Sequence, residues 1–357
     1  MSLWPGMMLA AAMGVATLFA TLGLRTLLIR RAVLDIPNER SSHAVPVPRA
    51  GGAGFVALIV IMLAVAAMAD SGIDDAMRVS AGLAAVAMLC VAAIGLVDDV
   101  RGVAPALRLV VHLACGLAAV ASQMHVISQS LALGWIAALA LTAAAAIFAA
   151  WCVNMVNFMD GIDGIAAAEG AFVLACTGAM LIAAEPSDDL GWLLIAAAMA
   201  LIGFLVVNMS SARIFMGDCG SGALGLLVAW ALLAAVSRGT LDPWAAAALP
   251  AAFMADAGTA LVLRVAAGAN PAQAHRTHAY QRAVRRGASH RAVTGTYSAL
   301  NFALVAPIAV AAQCWPNAGP WLVTGLYAAF VVAAFLAGAG REPATGTTPR
   351  KLPGTAS

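Results

Sequence analysis

The sequence predicts an all-α fold: a polytopic integral membrane bundle of about eleven transmembrane helices. Its amino terminus is expected outside and its carboxyl terminus in the cytoplasm. Three observations carry this prediction. Of the 357 residues, 63% are hydrophobic and only 10% are charged, against roughly 25% charged in a soluble domain, and the mean hydropathy is +0.93. The apolar residues gather into runs of about 20, the length a helix needs to cross the hydrocarbon layer. The basic residues gather in alternate loops. Such a composition excludes a cytosolic enzyme, a secreted disulfide scaffold, a nucleic-acid binder and a disordered regulator.

Taken in order, the runs cover approximately 5–29, 51–69, 79–97, 105–122, 130–150, 166–184, 191–208, 220–236, 243–264, 292–313 and 319–338. They are rich in Ala, Leu, Val and Gly, which suits close helix packing in lipid. No charge precedes Arg25, unlike the basic leader of a cleaved signal peptide, so the first run is expected to remain as a span. Of the 19 Lys and Arg, all but Arg78 and Arg238 fall in the loops after odd-numbered spans, at helix ends beside them or in the tail. By the positive-inside rule these regions are cytoplasmic, and the count of spans is odd. Residues 1–340 are expected to form one transmembrane catalytic domain, with 341–357 a disordered cytoplasmic tail. The six cysteines form no CxxC pair and sit mostly in apolar runs, as packing residues. Outward turns such as Asp74–Asp75 and Asp188–Asp189 read as solvated helix caps.

The chemistry-bearing residues cluster on the inward side. Asp98 and Asp99 end the third run in GLVDDVRGVAPALR. Two carboxylates there oppose the helix dipole by about 0.3–1 kcal/mol each and repel one another, which a divalent cation or a bound proton would relieve. The plainer reading is a solvated turn paired with Arg101. In NMVNFMDGIDG, Asn154, Asn157, Asp160 and Asp163 recur every three residues, and Gly161 and Gly164 predict that the helix breaks near Asp160. Oxygen donors without Cys or His suit Mg²⁺, or Mn²⁺ in its place, rather than zinc.

In SSARIFMGDCGSGALG, Asp218 precedes a glycine-rich helix start, where free N–H groups favour anions. As the bland alternative, Asp218 is only a cap, worth about 1 kcal/mol. Phe215 offers a stacking face or an interfacial anchor. AHRTHAYQRAVRRG supplies His275, Arg276 and His278, groups suited to a pyrophosphate, with Arg285 and Arg286 better read as contacts to anionic lipid. ERSSHAVPVPRAGG adds His43 and Arg49, a weak signal alone. His112 and His125 read as packing or interfacial groups, while Asp256, an acid inside a span, is a functional suspect by its position.

The order and wording of these clusters resemble one family, the polyprenyl-phosphate N-acetylhexosamine-1-phosphate transferases of glycosyltransferase family 4. The resemblance runs from about Asp35 to Arg286 through DD followed by Arg, NxxNFMDGxDG and FMGDxGS. It implies transfer of a sugar-1-phosphate from a UDP-N-acetyl sugar to undecaprenyl phosphate, with release of UMP, at the cytoplasmic face of a bacterial inner membrane. By the same resemblance, Asp218 matches a Mg²⁺-ligating acid, and Asp98 and Asp99 match paired acids that bind metal or deprotonate the lipid phosphate. Asp160 and Asp163, with Asn154 and Asn157, match the nucleotide and metal motif, and Asn208 and Phe215 occupy positions that contact the uridine.

His275-Arg276-Thr277-His278 departs from the family's other histidine motifs. It looks like the subgroup that initiates O-antigen or capsule synthesis, and a homodimer is compatible with it. The rival class is a secondary transporter or channel, which would place its acids near mid-membrane.

Overall fold

The computed structural model describes residues 3–35, 46–69, 75–209, 212–270, 273 and 275–341. His43 and residues 342–357, singled out above, lie outside them. The chain is a helical bundle, as expected. Its elements are α1 (Leu3–Arg30), β1 (Leu34–Asp35), β2 (Val47–Pro48), α2 (Gly52–Met68), α3 (Asp75–Arg101), α4 (Pro105–Ser130), α5 (Trp135–Met159), α6 (Ile165–Ala184), α7 (Asp189–Asn208) and α8 (Asp218–Ser237). After them come α9 (Pro243–Ala248), α10 (Ala251–Ala266), α11 (Ala279–Arg285), α12 (His290–Leu300), α13 (Ala306–Cys314) and α14 (Gly319–Leu336). Counting α12 and α13 as one, nine helices among the described residues are long and apolar enough to cross a membrane.

The two remaining runs differ from expectation for local reasons. Helix α2 has only 17 residues. The run at 243–264 is not one helix: Pro250 lacks the N–H an uninterrupted helix needs there, so α9 ends and α10 begins around it. Between α12 and α13, residues 301–305 form a π-turn, in which the Ala306 N–H reaches back to the Asn301 carbonyl just before Pro307.

Helices α4 and α5 end further along the chain than hydropathy placed them. Gln123 and Ser128 lower the local hydropathy, but both are buried and both donate hydrogen bonds. Gln123 donates to Ser80 Oγ at 3.1 Å and to the Trp230 carbonyl at 3.3 Å, and Ser128 donates to the Met124 carbonyl. Helix α4 therefore continues to Ser130, which puts His125 inside it rather than in a turn, and α5 runs to Met159 with Asn154 and Asn157 in its last turns. Asp188 does cap α7, accepting the Gly191 N–H at 2.6 Å. It is buried rather than solvated, because Arg238 Nη2 pairs with it at 2.8 Å.

Helix α8 is the axis of the bundle: 16 of its 20 residues are buried, against α2, α3, α4, α5 and α6. Small residues make that approach possible. A Cβ at Gly95 of α3 would stand 2.5 Å from the Asp218 carbonyl oxygen, so only glycine fits where α3 meets the start of α8. The minimal ladder β1–β2 pairs Leu34 with Pro48 and Asp35 with Val47. It then delivers the chain to residues 214–216. The Phe215 N–H donates to the Pro48 carbonyl, the Gly51 N–H to the Phe215 carbonyl and the Gly52 N–H to the Met216 carbonyl, each at 2.8 Å.

A candidate active site at one end of the bundle

The carboxyl ends of α3 and α5, the amino end of α8 and the segment before α11 meet at one end of the bundle. Asp99 is nearly enclosed there, with its side chain 3% exposed, and Arg49 Nε lies 2.8 Å from its Oδ1. The same carboxylate accepts the Asp218 N–H at 3.2 Å and the Cys219 N–H at 3.5 Å, so it sits on the amino terminus of α8 and takes up the orphan donors found there. Gly217, at φ +75°, turns the chain into that helix. Asp98 accepts the Val103 N–H at 2.6 Å and pairs with Arg108 Nη1. Arg108 Nη1 also lies 3.0 Å from Asp218 Oδ2, and Arg49 Nη2 is 3.7 Å from Asp218 Oδ1. Three acids from two helices thus face two arginines. Arg101, the partner expected for Asp98 and Asp99, is exposed, and Arg49 and Arg108 take its place.

Arg108 is a further member of this cluster, one that the sequence motifs do not single out. Its signal was there, one turn past Pro105 at the start of the helix that follows the two aspartates, but without a partner in view it read as a helix-end charge. Arg49, by contrast, rested on a weak motif, and the pairing of residues 48–52 with 214–216 brings it to Asp99 and Asp218.

The NMVNFMDGIDG motif divides. The helix stops after Met159 and Asp160 is its C-cap residue, as the glycines predicted. Asn157 Nδ2 donates to Ser221 Oγ at 3.0 Å, and Ser221 Oγ donates to the Gly217 carbonyl at 3.2 Å, which ties α5 to the start of α8. Asp160 lies close enough for the charges of Asp218 and Asp99 to act on it. Loss of water contacts first, and those charges next, push its carboxyl well above the usual carboxylate range.

Asp163 turns elsewhere: its Oδ1 lies 3.1 Å from His290 Nδ1, its Oδ2 accepts the Ala212 N–H at 3.0 Å, and its carbonyl accepts Thr294 Oγ1–H at 2.9 Å. Asn208 is committed to backbone as well, accepting the Gly164 N–H and donating to the Ile214 carbonyl, both at 2.9 Å. It thereby fixes the approach to Phe215, which is half-buried. Asn154 donates to the Ala150 carbonyl at 2.7 Å and lies 3.3 Å from His112 Nδ1.

A cavity of about 640 Å³ leads from this cluster into the bundle. Asp218, Arg108, Asn154, Asn157, His275 and His278 supply its polar rim, and Leu109, Leu113, Ile147, Trp151 and Leu261 its apolar wall, on α4, α5 and α10. The His275 and His278 rings lie 4.8 Å apart, and His278 stacks on Phe158 at 6.2 Å. His278 is only 2% exposed, and burial, followed by the charge of Arg264, pushes its imidazole down to about 4. It is neutral at pH 7 and so brings a hydrogen-bonding group rather than a charge to the rim.

Every donor at the mouth other than nitrogen is a hard oxygen, the chemistry that Mg²⁺ or Mn²⁺ takes. Among the described residues no three His, Cys, Asp or Glu side chains are close enough together to hold a metal ion. The oxygen donors are of the kind a hard cation takes, but between Asp98 and Asp218 that position is filled by the Arg108 guanidinium, a cation already bridging two carboxylates.

Comparison with known proteins matches residues 80–236 to Glycosyl transferase family 4. The decaprenyl-phosphate N-acetylglucosaminephosphotransferase of Mycolicibacterium smegmatis is 27% identical over 304 residues, 78% of this chain and 75% of that protein. A probable undecaprenyl-phosphate N-acetylglucosaminyl 1-phosphate transferase of Bacillus subtilis is 27% identical over 209 residues, 57% of this chain and 55% of its own. A phospho-N-acetylmuramoyl-pentapeptide-transferase of Mycolicibacterium vanbaalenii is 41% identical over 114 residues, but that stretch is 25% of this chain and 31% of that protein.

Proposed function

We propose that this chain, which matches Glycosyl transferase family 4 over residues 80–236, transfers an N-acetylhexosamine-1-phosphate from a UDP-sugar to undecaprenyl phosphate at the cytoplasmic face of a bacterial inner membrane. The product, a lipid-linked diphosphosugar, would initiate O-antigen, capsule or other envelope polysaccharide. The observation that carries this reading is the joining of three acids and two arginines to a cavity whose far wall is apolar. A soluble diphosphate and a lipid phosphate need such a mixed site, and each relative named above acts on a lipid-linked or N-acetyl-sugar substrate by its name.

In this reading the donor diphosphate lies against Arg49, Arg108 and the amino end of α8, where backbone N–H groups and the helix dipole favour negative charge. The acceptor tail lies along Leu113, Ile147, Trp151 and Leu261, with its phosphate at the rim. An oxygen of the lipid phosphate attacks the donor's β-phosphorus, and the bond from that phosphorus to the bridging oxygen breaks. UMP leaves with that oxygen. Asp98 and Asp99 keep the acceptor phosphate deprotonated, and Arg108 and Arg49 offset the charge spread over the transferring group. Asp98 and Asp218 would hold Mg²⁺ or Mn²⁺ in the position that Arg108 fills, and the ion would supply charge neutralisation of the diphosphate. Asn157 and Phe215 face the nucleoside end.

The test uses purified protein in detergent with a UDP-N-acetyl sugar and undecaprenyl phosphate. Lipid diphosphosugar and UMP should form with Mg²⁺ and stop in excess EDTA. Flux of a solute across sealed vesicles without such a product would support the transporter class instead.

A further inference from the structure

Asp256 of α10 is 2% exposed and takes no part in the chemistry proposed above, yet both of its oxygens are used. Oδ1 accepts the Ala279 N–H at 2.7 Å, and Oδ2 accepts the Tyr280 N–H at 3.2 Å and the Tyr297 hydroxyl at 2.6 Å. Ala279 and Tyr280 are the first two residues of α11, whose N–H groups have no partner inside the helix. An acid from another helix therefore caps α11, and charge-assisted bonds of this kind are the stronger ones.

Tyr280, 1% exposed, passes the constraint on. Its hydroxyl donates to the Phe158 carbonyl at 2.9 Å, an acceptor in the final turn of α5 that the helix itself leaves open. Asp160 follows two residues later. A Cβ at Gly161 would fall on the Tyr280 hydroxyl, so the turn has been shaped around this contact. His278, immediately before α11, stacks on both Phe158 and Tyr280.

We propose that Asp256 is a positioning residue: by capping α11 it seats Tyr280 on the Phe158 carbonyl and so fixes the turn that carries Asp160 at the mouth of the cavity. The proposal rests on the phosphotransfer reading only for its kinetic consequence. The mechanical link stands on the contacts themselves.

The experiment compares Asp256→Asn, Tyr280→Phe and the double variant in the full-length protein, with Tyr327→Phe as a control. Tyr327 donates to the Ala247 carbonyl, away from this link. Hydrogen exchange is followed at residues 158–165, and kcat and KM are measured for both substrates. Each single variant should speed exchange in that segment and lower kcat by roughly ten- to a hundred-fold. The double variant should be no worse than the stronger single, because both act through one chain of contacts. Tyr327→Phe combined with either should give additive effects. Wild-type exchange in Asp256→Asn and Tyr280→Phe, or additive losses of kcat in the double variant, would overturn the proposal. Should Asp256→Asn not fold, Tyr280→Phe alone decides by the same two readouts. An inactive wild-type protein with the exchange changes intact would sink the phosphotransfer reading and leave the link standing.

Discussion

At the scale of single residues, the site works by opposing charges that no element could hold alone. Arg108 Nη1 contacts both Asp98 and Asp218, so it offsets a repulsion between two carboxylates. Arg108→Gln should lower kcat/KM about a hundredfold, as removal of a group that stabilises transition-state charge does, while the detergent-solubilised protein keeps its fold. A change under twofold would show that Arg108 is a bystander.

Titration gives two further expectations, from shifts in opposite directions. The carboxyl of Asp160 is held above the ordinary range by burial and by the charges of Asp218 and Asp99. If its ionised form is the working one, the acid limb of the pH–rate profile lies above the usual carboxylate values, and turnover rises with pH through it. A limb at or below about 4 would contradict this. For His278 the folded state disfavours the proton, with the imidazole near 4 against 6.5. The unfolded chain therefore binds more protons across that window, and stability falls as pH drops from about 6.5 toward 4. Thermal melts in detergent should show that slope, and His278→Gln should flatten it.

At the scale of elements, what matters is how closely α3 and α8 approach, since Asp99 and Asp218 sit at that crossing. Gly95→Ala would drive a methyl group against the Asp218 carbonyl, and overpacking of this kind costs typically 1–3 kcal/mol. The expected outcome is a lower melting temperature together with loss of turnover, since a shift that relieves the clash separates Asp99 from the amino end of α8. Unchanged activity in Gly95→Ala would mean that the crossing tolerates displacement.

Elements also show where the sequence could be read and where it could not. Helix existence was legible because apolar runs of span length are hard to mistake. The end of α4 was not, because Gln123 and Ser128 look like a loop until their bonds to Ser80, Trp230 and Met124 are seen. The break at Pro250 was written in the residue itself, but average hydropathy passed over it. Helix α11 escaped notice because it is seven residues long and takes its cap from Asp256, far away in sequence.

At the scale of the whole molecule, charge and chemistry share one end. The acids of DDVR and FMGD were legible as candidates because carboxylates are conspicuous in an apolar chain, and the structure draws Asp98, Asp99 and Asp218 together with Asp160 nearby. Asp163 of NMVNFMDGIDG and Asn208, a site residue by resemblance, were candidates too, yet their polar atoms hold backbone or His290. Pattern alone could not separate the acids that face the cavity from those that brace its wall. The two basic residues outside the inward set are each beside an acid, Arg78 at 3.8 Å from Asp75 and Arg238 at 2.8 Å from Asp188, so they add little net charge to that side.

The positive-inside rule then predicts which end faces the cytoplasm. In right-side-out vesicles, a cysteine introduced at Asn317 should react with an impermeant maleimide, and one at Arg286 should not. The reverse pattern would invert the bundle and place the acidic mouth on the wrong side for a cytosolic nucleotide sugar.

The central claim is that the mouth moves a phosphorus atom along with the sugar. Donor labelled with ³²P at the β-phosphate and ¹⁴C in the sugar tests it directly, in the presence of undecaprenyl phosphate and Mg²⁺. Both labels should enter the lipid in equal amounts, with unlabelled UMP released, and Asp218→Asn should abolish the transfer of both. Carbon label in the lipid with ³²P left on UDP, or equal transfer by Asp218→Asn, would contradict it.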